Sequence, residues 1–239
     1  MRPKLAIVTV HAGDIKNLIK TIKSVNSQIL KPDLHLIVSK DFDNKILRYK
    51  KKYNKFIFKK DKSIYNAMNI GLNYTKNYFL LFLNSGDYLY SKNIKKIIKK
   101  NIFVYKKKCL NFKTLLSYKK QSFLIKDKIF YNSYFYSHPS FIRPPTTKPI
   151  YYDENFKILS DGIWMDKNKK KYGIKKINII STVHSLGGIS SNPSFFSIKD
   201  NFKFSIKSGI KEIIKFYINI FFNKKNYYKI IFKRNYLIK

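Results

Sequence analysis

Two short stretches carry residue types that could do chemistry. Leu83-Asn-Ser-Gly-Asp87 follows the apolar run Tyr78 to Leu83, which sets a carboxylate in a compact turn directly after a buried strand. The stretch just upstream, Ser63-Ile-Tyr-Asn-Ala-Met-Asn-Ile-Gly71, supplies amide side chains at the start of a helix. In open α/β sheets, ligands gather at the carboxyl ends of the strands. A single carboxylate there, flanked by Asn84 and Ser85, suits a divalent cation gripping a nucleotide diphosphate. Gly86 would let the backbone turn closely past the ligand. The competing reading is an ordinary turn, because Asn, Ser, Gly and Asp are the residues turns use.

A second carboxylate stands out at Asp161, after Tyr152-Asp-Glu-Asn-Phe-Lys-Ile-Leu-Ser160 and at the start of a predicted helix. It could serve as a general base within reach of a hydroxyl, or it or Ser160 could cap the helix that holds Trp164. Asp153 and Glu154 read as surface carboxylates. His138, in Ser137-His-Pro-Ser140, is either a ligand-orienting group or a loop residue. His35 alternates with Leu34 and Leu36 and reads as structural. His184 precedes Leu186-Gly-Gly-Ile-Ser190. The sequence shows no Cys/His metal cluster, no Walker-type loop and no nucleophile elbow.

The elements that must position these residues follow from periodicity. Leu5 to Val10 reads as a buried strand, and Asp14 caps a helix with Ile15, Leu18, Ile19, Ile22 and Val25 on one face. Asp33 to Ser39 is a second strand, and a parallel sheet with right-handed crossovers follows. A lysine-rich helix over 43–53, a strand at 56–58 and a helix over 64–74 come next. Tyr78 to Leu83 is apolar throughout, as expected of a central strand covered on both faces. Ser91 caps a helix running to about Lys100. Residues 102–150 read as short strands, with turns at Lys126-Asp127 and Arg143-Pro-Pro145. Residues 160–172 read as helix and 176–183 as strand. The character changes from about Pro193.

Taken together, the first strand and helix, SIYNAMNIGL, LNSGD, His-Pro-Ser, YYDENFKILSD and GGIS resemble the family 2 glycosyltransferases. The resemblance is to the branch typified by colanic acid and related surface polysaccharide enzymes, and it covers about residues 4–192, with 61–87 the specific part. It implies an α/β, GT-A nucleotide-sugar-binding fold with a central, mostly parallel sheet over 1–192, and a basic helical tail over 193–239. It implies inverting transfer of a sugar from a nucleoside-diphosphate donor to a hydroxyl of a glycan or lipid-linked acceptor, in bacterial surface polysaccharide or lipopolysaccharide assembly. Asp87 would hold Mg²⁺ or Mn²⁺, and Asp161 would be the base. Thr9, His11, Asp41, Asp61, Tyr65, Asn69, Asn84, Ser85 and Gly86 would serve the donor. His138, Gly187 and Gly188 would serve the acceptor or phosphate. Three departures mark the chain: Ser39-Lys-Asp-Phe-Asp43 in place of an Asp-Gly-Ser-x-Asp turn, Ser63 where glycine is usual, and Asn66 where aspartate is usual. The first leaves the nucleotide base unassigned, and the other two leave room for a degenerate transferase acting as a membrane scaffold.

Composition sets the outer limits. The chain has 239 residues, enough for one sizeable α/β domain with an appendage. Its single cysteine, Cys109, excludes an internal disulfide and fits a reducing compartment. The net charge of +37 invites a nucleic-acid reading, but only four of the 50 basic residues are arginine, the fork preferred for phosphates and base edges. Abundant Lys, Asn, Ile, Tyr and Phe together match an AT-rich coding bias, so no specific nucleic acid is expected. The tail sets Ile210, Ile213, Ile214, Phe216, Tyr217, Ile220, Phe221 and Phe222 among Lys207, Lys211, Lys215, Lys224 and Lys225. That pattern reads as a basic amphipathic helix at an anionic membrane surface, or one docked on the catalytic domain or a partner chain. No apolar run approaches the roughly 20 residues of a spanning helix, so the expected location is cytoplasmic, peripheral on the inner face of the plasma membrane.

Overall fold

The computed structural model describes residues 3–41, 43–59, 62–118, 121–124, 138–186 and 193–221. Strand β1 (Leu5–His11) is buried at every position, and helix α1 (Ile15–Asn26) follows, capped by Asp14, whose carboxylate accepts from the Lys16 amide at 2.9 Å. Then come β2 (Leu34–Ser39), a 3₁₀ turn at Asn44–Tyr49, β3 (Asn54–Phe58), α2 (Ile64–Tyr74) and β4 (Phe79–Phe82). A short β5 (Tyr88–Leu89) leads to α3 (Ile94–Val104), β6 (Cys109–Tyr118) and β7 (Gln121–Leu124). The chain continues through β8 (Phe141–Arg143), α4 (Ser160–Tyr172) and β9 (Ile174–Ser185) to the helices α5 (Phe195–Phe204) and α6 (Ile206–Phe221).

The nine strands form one sheet in the order β3-β2-β1-β4-β8-β6-β9-β5, with β7 beside β6. The β3-β2-β1-β4 half is parallel, the β6–β9 pair is parallel too, and β8 enters antiparallel between β4 and β6. One face of β1 and β2 packs Val8, Val10, Leu36 and Val38 against Met68 and Leu72 of α2 and Trp164 of α4. The other face packs Leu5, Ile7, Phe79 and Leu81 against Ile94, Ile98 and Ile102 of α3. β4 is therefore covered on both faces, as its unbroken apolar run predicts. Helix α2 approaches β1 so closely that a Cβ at Gly71 would lie 2.7 Å from Val8 Cγ1, which explains a glycine in mid-helix.

Several elements differ from the sequence expectation. The lysine-rich segment after β2 makes a six-residue 3₁₀ turn rather than a helix over 43–53, because only Ile46 is buried and β3 begins at Asn54. The helix expected from Ser91 begins at Ile94, without a side-chain cap. The strands of the middle segment include a ten-residue β6, and β9 is longer than 176–183 because it runs alongside β6. Leu159, not Ser160 or Asp161, is the N-cap residue of α4. The turn at Lys126-Asp127 lies outside the described residues.

Candidate functional site

The site lies at the carboxyl edge of the parallel strands, where β1 ends at His11, β2 at Ser39, and β4 runs into the turn Asn84–Asp87. The turn continues the β1 pairing, since Leu83 N donates to Val8 O at 2.9 Å and Ser85 N to Val10 O at 3.1 Å. It then closes on itself, with Asp87 N donating to Asn84 O at 2.9 Å and Gly86 at φ +102°, a conformation that favours glycine. Thr21 of α1 braces it from beneath: its hydroxyl accepts from Gly86 N at 3.0 Å and donates to Asp87 O at 2.6 Å.

Asp87 is almost fully buried, 3% exposed. β5 pairs antiparallel with β9, Tyr88 against Val183 and Leu89 against Thr182, so Asp87 falls opposite His184. Its Oδ1 accepts from the Ser185 amide and meets His184 Nδ1, both at 2.9 Å. Its Oδ2 is buried with no hydrogen-bond partner among the described residues, and so is Asn84 Oδ1. An unmatched buried carboxylate oxygen is costly unless a cation or donor completes it. Lys20 of α1 sits nearby, donating to Ser185 Oγ at 3.3 Å and lying 4.1 Å from the Tyr88 ring centroid. Burial lowers the Lys20 pKa, while the Asp87 charge acts the other way.

His184 links this turn to Asp161. Burial pulls the imidazole pKa down, but the charge and hydrogen bond of Asp87, with the charge of Asp161, outweigh it and leave the pKa above 6.5. Asp161, in the first turn of α4, has its pKa raised from 3.8 to about 6 by burial, against the opposing pull of the Gly162 amide and the His184 charge. Its Oδ1 accepts from Gly162 N at 2.7 Å. That value suits a group that takes up a proton near neutral pH.

The segment leading to Asp161 is pinned on several sides. Asn69 donates to Tyr152 O at 3.1 Å and accepts from Tyr152 N at 2.8 Å. Asn66 reaches both oxygens of Glu154 at 3.1 Å. The Tyr65 hydroxyl donates to Ile158 O, and its ring stacks on Tyr152 at 5.7 Å. Asp200 of α5 accepts the Lys157 and Ile158 amides at 2.6 and 2.7 Å. Tyr152 stacks in turn on Trp164 at 4.8 Å.

The structure brings Asp87, Asn84, Ser85, Gly86 and His11 together. His11 Nδ1 lies 2.9 Å from Ser85 Oγ, and its pKa is lowered by burial against the charges of Asp41 and Asp14. Asp41 is exposed just beyond β2, within electrostatic reach of His11. Thr9 is set deeper: it is fully buried, with its hydroxyl 2.9 Å from Nε2 of His35, which is structural as read from the sequence. Tyr65 and Asn69 hold the chain that carries Asp161. His138 is buried, stacked on Phe82 at 5.3 Å with Nε2 2.8 Å from Tyr152 Oη, and burial followed by the His184 charge lowers its pKa to about 3. Asp61, Gly187 and Gly188 lie outside the described residues. Sequence reasoning missed Lys20, Thr21, Ser185 and Asp200. It noted His184 only for its place before a glycine pair, since strand pairing alone sets it opposite Asp87.

No protein-family model matches the sequence, and no curated protein matches it either. Solved structures do match. Staphylococcus aureus TarS 1–349 in complex with UDP-GlcNAc superposes with a TM-score of 0.64 at 17% identity, over 97% of this chain and 71% of that one. The same TarS fragment gives a TM-score of 0.59 at 15% identity without a named ligand, over 95% and 74% of the two chains. Its complex with UDP gives 0.57 at 15% identity, over 95% and 75%. At this identity the likeness speaks for the fold: the chain has a mixed α/β architecture of the GT-A type, shared with a protein solved with a nucleotide sugar at hand.

Proposed function

We propose that the chain is a glycosyltransferase that moves a sugar, with inversion, from a nucleoside-diphosphate donor to a hydroxyl of a glycan or lipid-linked acceptor in bacterial surface polysaccharide or lipopolysaccharide assembly. One observation carries the reading. A buried carboxylate with an uncompleted oxygen stands at the sheet's carboxyl edge, hydrogen-bonded to His184, which also feels the charge of Asp161, a second carboxylate whose pKa is raised to about 6. The shared fold with a protein solved with UDP-GlcNAc and with UDP supports the donor class.

Asp161 takes the proton from the acceptor hydroxyl as its oxygen bonds to the anomeric carbon. The bond from that carbon to the diphosphate oxygen breaks, and the nucleoside diphosphate leaves with the electron pair. Lys20 and protonated His184 place positive charge beside the turn where the diphosphate would sit. His11 ends β1 and Asp41 follows β2 by two residues, and these are the groups assigned to the nucleoside.

Among the described residues no three His, Cys, Asp or Glu side chains cluster as a metal cage. Mg²⁺ and Mn²⁺ do not require one, since they take one or two carboxylates and complete their shell with water and substrate phosphates. Asp87 Oδ2 and Asn84 Oδ1, both buried without partners among the described residues, fit that need. A bound cation would neutralise charge building on the leaving diphosphate.

A thermal-shift series of nucleoside diphosphates and nucleotide sugars, with and without Mn²⁺, tests the reading. At least one nucleotide should raise the melting temperature, more so with Mn²⁺. No shift across a broad series at saturating concentration overturns it. Binding without transfer to any acceptor leaves the degenerate, scaffold form.

Helix α6 bears on the place of action. Ile206, Ile210, Ile214, Tyr217 and Phe221 are all more than half exposed and recur every three or four residues, so they form one stripe. Lys207 and Lys211 stand beside it. No described helix is long and apolar enough to cross a membrane. An apolar stripe edged with lysine fits the surface of an anionic bilayer. Co-sedimentation with vesicles containing phosphatidylglycerol, weakened by Ile210→Glu with Ile214→Glu, is the expected result. Equal binding to neutral vesicles, or no binding and a concentration-dependent dimer, overturns it.

A further inference from the structure

Asp200 belongs to the part of the chain read as a tail, yet it is only 1% exposed. Its Oδ2 accepts three successive backbone amides, from Lys157 at 2.6 Å, Ile158 at 2.7 Å and Leu159 at 3.4 Å. Those residues lead directly into α4, whose second residue is Asp161. Helix α5 grips the same segment twice more. Lys203 Nζ donates to Asn155 O at 2.9 Å and lies 5.7 Å from the Phe156 ring centroid. From the other side, the Tyr65 hydroxyl donates to Ile158 O. One residue, Ile158, is thus held through its N–H by α5 and through its C=O by α2.

We propose that Asp200 is a positioning residue for Asp161, and that α5 is part of the catalytic unit rather than of a separable tail. This rests on the transferase reading above. A carboxylate that accepts the last free amides before a helix sets where that helix begins. Here it fixes the first turn of α4, and so the direction in which the Asp161 carboxyl points. Removing it leaves three amides without their acceptor, that of Ile158 buried and the other two partly so, and the segment must open to water to satisfy them. A shift of about 1 Å in a reacting group can cost about 100-fold in rate.

The test uses the full chain with Asp200→Ala and Asp200→Asn, the second keeping one acceptor oxygen. Amide exchange at 157–159 and the NMR titration of the Asp161 carboxyl are read first, since neither needs turnover. Asp200→Ala should speed exchange at these amides by at least about 10-fold and move the Asp161 midpoint, and Asp200→Asn should recover part of both. With donor and acceptor supplied, kcat should fall about 10- to 100-fold while the donor KM stays within about twofold. Unchanged exchange and an unchanged Asp161 titration overturn the proposal. So does a loss of kcat that tracks only the folded fraction. If the wild type transfers no sugar, the transferase reading fails on its own, and the exchange and titration results still decide whether Asp200 governs Asp161.

Discussion

His184 Nδ1 and Asp87 Oδ1 lie 2.9 Å apart although 97 residues separate them in the chain. The contact is made by the β5–β9 pairing, and it gives the imidazole a reason to hold its proton: Asp87 beside it and Asp161 within electrostatic reach. The histidine thus answers to both carboxylates, one by a hydrogen bond and the other by charge.

The pair sets a pH dependence of stability. The folded His184 pKa is raised above 6.5, so its contribution is fully present below pH 6.5 and is lost as pH rises through the folded value. The melting temperature of the wild type minus that of His184→Gln should be largest near pH 6 and shrink on the alkaline side. A difference that grows with pH would contradict the pairing.

Asp161 moves stability in the same direction with pH, through a cost of ionisation rather than a lost partner. Its folded pKa of about 6 stands above the ordinary 3.8, so ionising it at neutral pH opposes folding, and that penalty sets in as pH climbs from 3.8 through about 6. Asp161→Asn should raise stability at pH 8 by on the order of 1–3 kcal/mol and lower kcat by about 10²- to 10⁴-fold, with donor binding retained. In the wild type, kcat should fall as pH drops through about 6. Calorimetry and a pH–rate profile check the two halves separately.

Asp87→Ala removes the uncompleted Oδ2 together with the partner of His184. The Mn²⁺-dependent part of any nucleotide shift should vanish, and turnover should fall by at least about 10²-fold. The His184 proton resonances should titrate at lower pH than in the wild type.

Gly71→Ala tests the seat of α2 on the sheet. The added methyl would meet Val8 Cγ1 at 2.7 Å, and relief requires a shift of helix or strand costing about 1–3 kcal/mol. Gly71→Ala with Val8→Ala should recover most of the loss in a denaturant titration, as two residues in contact do not act additively.

The parallel half of the sheet was legible because β1, β2 and β4 are apolar runs separated by a helix with a regular buried face, and a strand covered on both sides leaves that trace. The Asn84–Asp87 turn was legible from its residue types. The lysine-rich 43–53 segment misled because lysines permit a helix without supplying the apolar stripe that anchors one. The roles of His184 and Asp200 were hidden for another reason. Each depends on pairing or docking with residues roughly 40 to 100 positions away, and local periodicity carries no record of such partners. Tyr65 and Asn69 stood out in the motif, but their hydrogen bonds to the segment before Asp161 left no trace in local spacing.

Strand β9 lies between β6 and β5, and among the described residues β5 pairs with the sheet through β9 alone. Until Ile174–Ser185 leaves the ribosome, the Asp87 carboxylate has neither His184 nor the Ser185 amide to stand against. All four strands of the parallel half precede that segment in the chain, so their residues are made before the partners of Asp87. A chain that stops before residue 184 therefore lacks the imidazole that Asp87 meets in the finished sheet.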